Sequence, residues 1–74
     1  MIDLLNNKYE IIVRDCFVYV KYYKKIVDIN SSVIKISFNN KNIIVHGNGL
    51  IVCALDEYEI VIKGIISSIE FTNE

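Results

Sequence analysis

Proline and tryptophan are missing from this chain, and it holds only three glycines, two cysteines and one histidine. Each scarcity excludes something. Cys16 and Cys53 are too few and too far apart for a disulfide-stapled mini-protein or a paired-cysteine metal knuckle. They are expected to be reduced thiols in the core, where free cysteine usually sits. His46 stands alone, so a catalytic pair would need a cysteine nucleophile with no supporting motif. Gly47, Gly49 and Gly64 precede no helical pattern, which removes the phosphate-cradling turn of nucleotide-binding folds. Asp56, Glu57 and Glu59 lack the spaced ligand loop of a calcium site and read as a solvated turn and strand face. No cofactor and no metal are expected, and no enzymatic activity.

A surplus of one charge is also lacking. Eight Lys and Arg against nine Asp and Glu give a net charge of −1, without the long-range field that nucleic-acid binders use. The longest apolar run, residues 50–55, is far too short to span a membrane, and residues 1–5 are too short for a signal-peptide core. The expected compartment is the cytoplasm.

What the chain does have is β-branched residues and a repeat. Two apolar residues, two apart, lead to a small or polar residue, with another apolar residue five beyond it. The copies are Ile11, Val13, Asp15 and Val20; Val27, Ile29, Ser31 and Ile36; Ile43, Val45, Gly47 and Val52; and Ile60, Ile62, Gly64 and Ile69. In a chain that is 53% hydrophobic, apolar columns arise by chance, so the 16 or 17 residue spacing and the shared turn position carry more weight than the matches. Each copy reads as strand, turn, strand, with the residues before the turn on one face of the strand.

The alternation predicts an all-β fold of about eight short strands, at 9–15, 16–23, 25–30, 33–38, 42–46, 50–55, 58–63 and 65–72, as consecutive hairpins in a small sandwich or β-roll. Residues 1–8 read as a lead-in, frayed or a one-turn helix, and residues 9–74 as one domain. Gly47, Asn48 and Gly49 form an Asn-Gly hairpin signal between two apolar strands, and Gly64 permits a bulge or kink. The expected core draws on Ile43, Val45 and Leu50, then on Ile60, Ile62, Ile69 and Phe71.

A domain of this size buries only about 60 to 65% of the surface its unfolded chain exposes, so self-association or docking on a protein partner is expected as a supplement. The run Lys21, Tyr22, Tyr23, Lys24 and Lys25 has the composition of a single-strand stacking groove. It also reads as a strand edge guarded by lysines, which the near-neutral charge favours. A small β-barrel binding single-stranded nucleic acid is therefore the alternative reading.

The last two copies carry a more specific pattern. Ile43, Val45, Gly47 and Leu50, then Ile60, Ile62, Gly64, Ile66, Ile69 and Phe71, resemble the C-terminal half of the YabP/YqfC family of sporulation proteins, nearer the YqfC branch. There, a hydrophobic-x-hydrophobic-x-Gly-x-x-Leu stretch precedes Ile-x-Gly-x-Ile-x-x-Ile-x-Phe. The likeness extends back through Val18, Val20, Ile26 and Ile34, with Lys25 departing from an expected glycine. The resemblance implies a non-enzymatic protein of endospore formers, acting in the mother cell in spore cortex or coat assembly. Its implied partner is a sporulation membrane protein encoded nearby, which would hold it peripherally at the forespore outer membrane.

Overall fold

The computed structural model describes residues 10–73, so the expected lead-in at residues 1–8 lies outside the described residues. Six strands form: β1 Glu10–Val13, β2 Phe17–Lys21, β3 Lys25–Ile29, β4 Val33–Ser37, β5 Lys41–Leu55 and β6 Glu59–Asn73. All neighbours are antiparallel in one open sheet of order β1-β2-β6-β5-β4-β3, and no helix occurs among the described residues.

The fold is all-β with six strands in place of eight, because four expected short strands join pairwise into two long ones. The Asn-Gly signal at 47–49 marks no hairpin: β5 runs straight through it. A type I′ turn needs positive φ at both central residues, and of Asn48 and Gly49 only Gly49 has it, at 64°. Nor do the hairpins follow one another throughout, since β2 and β3 are not neighbours.

The reversals that do occur are built by short polar side chains. Asn30 Oδ1 accepts from the amides of Ser32 and Val33 at 2.9 Å each, closing the β3–β4 turn. Asp56 Oδ1 accepts from the amides of Tyr58 and Glu59 between β5 and β6. These side chains mimic a backbone turn, which is why Asn and Asp serve here without glycine or proline.

The order of strands forces the sheet to bend. Four strand spacings separate β2 from β3, about 19 Å in a flat sheet. Four residues from Lys21 to Lys25 reach at most about 14 Å. The bend lies where β5 and β6 lose register together, between His46 and Gly47, between Asn48 and Ile51, and between Val52 and Ala54. The ribbon therefore has two ends. Residues 59–63 of β6 pair with β2 at one end, and residues 42–46 of β5 pair with β4 at the other.

The sequence repeat recurs as a pseudo-two-fold relation between those ends. Gly64 N donates to Cys16 O at 3.1 Å, beside the β1–β2 turn, and Gly47 N donates to Ser32 O at 2.9 Å, beside the β3–β4 turn. Val18 faces Ile62 and Val20 faces Ile60 at one end; Ile34 faces Val45 and Ile36 faces Ile43 at the other. The copies thus occupy equivalent places although two are hairpins and two are bent strands.

Those eight residues, with Phe38 and Leu50, form one buried cluster drawn from both ends of the ribbon. Ile69 only packs partly against it, and Phe71, expected in the core, is 54% exposed. The reason is position. Phe71 lies opposite Ile43, but past the bend no described strand flanks β6 on its other side. Its pseudo-symmetric counterpart Leu55, opposite Ile60, is 55% exposed for the same reason.

The cysteines also depart from expectation. Both are free and exposed: Cys16 sits in the β1–β2 turn, and Cys53 is the extra residue of the bulge between Val52 and Ala54. A bulged residue is left out of the ladder and is not carried inward by the strand's alternation. Both thiols should therefore react with an alkylating reagent in the folded protein, at rates close to those after denaturation. Protection of either thiol by more than about a hundredfold would contradict its placement, since burial suppresses thiol reactivity.

Candidate assembly surface

The basic and aromatic run from Lys21 to Lys25 does not form one surface. Lys21 Nζ lies 3.8 Å from Glu59 Oε2 and 5.6 Å from the Tyr19 ring centroid. Tyr22, at φ 64°, turns the chain out of β2, and its ring tilts against Tyr58 with centroids 6.4 Å apart. Tyr23 packs against the core and donates its hydroxyl to Asp56 O at 2.8 Å. Lys24 N donates to Ser37 O at 2.8 Å, tying the link to β4, where Ser37 is buried. Tyr23 thereby holds the short β2–β3 link, while the Tyr22 and Tyr58 rings stay more than half exposed.

His46 and the acidic residues are dispersed. His46 Nε2 lies 3.1 Å from Glu70 Oε1 on the outer surface of the sheet, where β5 and β6 place the two side chains on one face. Asp56 is engaged in its turn, and Glu59 accepts from the Tyr19 hydroxyl at 2.9 Å. That carboxylate raises the Tyr19 pKa above the usual phenol value, because losing the phenolic proton forfeits the hydrogen bond and sets two negative charges together. Among the described residues no group of three or more His, Cys, Asp or Glu could hold a metal ion. Among the described residues there is no helix long and apolar enough to cross a membrane, which says nothing of strands.

The glycines serve the bend. A Cβ at Gly47 would overlap the Ile65 carbonyl oxygen and come within 2.8 Å of Leu50 Cδ2. At Gly64, φ is 139° and a Cβ would lie 2.7 Å from Gly49 O. The two strands approach so closely here that only glycine fits.

Two kinds of surface remain unpartnered among the described residues. The first is strand edge. Beyond the bend, residues 65–73 of β6 and residues 51–55 of β5 each pair on one side only, and β1 and β3 close the sheet with open outer edges. The second is the outer face of the sheet at the β2 end. Phe17, Lys63 and Ile51 form one row across β2, β6 and β5, and Tyr19, Val61 and Ala54 the next. Ile51, which no core contact explains, is 62% exposed. Hydrophobic alternation predicted the inner residues but missed this face, because apolar residues on both sides of a strand read equally well as a central, doubly covered one.

No family model, curated protein or solved structure matches this chain.

Proposed function

We propose that this domain is a non-enzymatic assembly module that works by docking on protein, including other copies of itself. The carrying observation is that, among the described residues, a bent sheet with one buried core leaves strand edges open and an apolar outer face uncovered. Open edges offer unpaired amide and carbonyl groups, and a partner that adds a strand satisfies them while covering adjacent apolar side chains. In this reading the bent sheet is a small roll, its two ends packed on the shared core.

The resemblance of the last two repeat copies to the YabP/YqfC family sets the biological context. The proposed role is in the mother cell during cortex or coat formation, at the forespore outer membrane through a membrane-protein partner. Gly47 and Gly64, which match motif glycines, act by shaping the bend. The single-strand-binding alternative has less support, because Lys21 is drawn to Glu59 and the Tyr23 hydroxyl is bonded to the backbone. A fluorescent fusion expressed from the native promoter tests the proposal. Signal confined to sporulating cells and ringing the forespore is expected, with cortex or coat defects on deletion. Uniform expression in vegetative growth with normal spores after deletion would overturn it.

A further inference from the structure

The pseudo-two-fold relation supplies an internal control for the outer face. Positions that coincide under it have the same place in the fold, so the fold cannot account for a difference between them. On the outer surface of the β4 end, Lys35, Ser68 and Glu70 stand where the β2 end carries Tyr19, Ile51 and Ala54, and Asp28 stands where it carries Ile12. Ile44 and Val33 of the β4 end match Val61 and Phe17, so the two ends differ at these four positions, where one is furnished for water. The other carries apolar groups there that its counterpart does without, and such a patch marks an interface.

We infer that the outer face of the β2 end, centred on Val61 and Tyr19, packs against the same face of a second copy of this chain with the strands running in opposite directions. This rests on the assembly reading and names its partner. The choice of a second copy comes from the order of residues on the two central strands. On β6, Glu59 and Lys63 flank Val61 on the outer face; on β2, Lys21 and Phe17 flank Tyr19. A two-fold axis lying in the interface and crossing the strands at Val61 and Tyr19 sets each of those two residues over its own counterpart. It also brings Lys63 of one copy over Glu59 of the other, and Lys21 of one over Phe17 of the other. A self-complementary patch of this kind is what an isologous interface requires. Glu59 has room for the second cation: its Oε1 takes the Tyr19 hydroxyl, while its Oε2 meets Lys21 only at 3.8 Å.

Sedimentation equilibrium of the full chain tests this. The expected mass is twice 8.5 kDa, falling to that of one chain in Val61→Lys, while Ile44→Lys, at the equivalent position of the other end, stays dimeric. Circular dichroism reports whether each variant is folded. Glu59→Lys and Lys63→Glu should each weaken the dimer by about tenfold or more, the scale of a close interfacial charge pair. Mixing the two should restore it, because each reversed charge then meets its opposite. A dimer untouched by Val61→Lys, equal loss in Ile44→Lys, or no recovery on mixing would overturn this face while leaving assembly through another surface standing. A monomeric wild type would also overturn it, and the wider assembly reading then depends on partners of a different sequence.

Discussion

Replacing Gly64 by valine should leave the chain unable to reach its native state, whereas Ser67→Val, three residues along the same strand, should melt within a few degrees of wild type. At φ 139° the Gly64 backbone occupies a region that costs an L residue about 1 to 3 kcal/mol. Its Cβ would also press on the Gly49 carbonyl oxygen at 2.7 Å and the Leu50 Cα at 3.0 Å, backbone atoms that cannot rotate away. Ser67 is exposed and valine favours a strand. Gly49→Ala should fall between them: its φ of 64° is strained, but nothing lies within 4 Å of the added carbon. Thermal unfolding followed by circular dichroism ranks the three, and equal midpoints for Gly64→Val and Ser67→Val would show that the bend does not depend on glycine.

The second large effect belongs to the core. Ile62→Ala should destabilise by about 2 to 5 kcal/mol, the range for truncating a buried isoleucine. Ile62 is 0% exposed and faces Val18 on one side and Val52 on the other, so the surrounding sheet has little freedom to collapse into the gap. A domain of 74 residues has about 4 to 11 kcal/mol to lose in all. Ile65→Ala, at a residue 68% exposed, is the matched control and should change stability by less than about 0.5 kcal/mol. Urea titrations measure both, and a similar midpoint for the two variants would place Ile62 outside the core.

The particular residues show which parts of this structure were written legibly. Period-two alternation located Ile43, Val45, Ile60 and Ile62 because each lies on a strand with one face turned to the core. The repeat marked Asp15, Ser31, Gly47 and Gly64 as equivalent, and they are, yet the pattern could not say that two are chain reversals and two are bends. That depends on whether the flanking strands find each other or continue beside a common partner. Long-range pairing decides it, and β5 and β6 bend together. Phe71 read as core from alternation alone, because alternation records the side of a strand and not whether the neighbouring strand extends far enough to cover it. The outer face at the β2 end was hidden for a related reason: apolar residues on both sides of a strand do not say whether the second side is covered.

The central claim, that this domain works through protein contacts, is tested most directly by photo-crosslinking in sporulating cells. A photoreactive residue is placed singly at Ile51 on the apolar outer face, at Ser67 on the open edge of β6, and at Lys35 on the polar outer face. Discrete protein adducts from Ile51 or Ser67, with none from Lys35, are the predicted result. Adducts to nucleic acid alone, or no adduct at any of the three positions in cells that contain the folded protein, would contradict it.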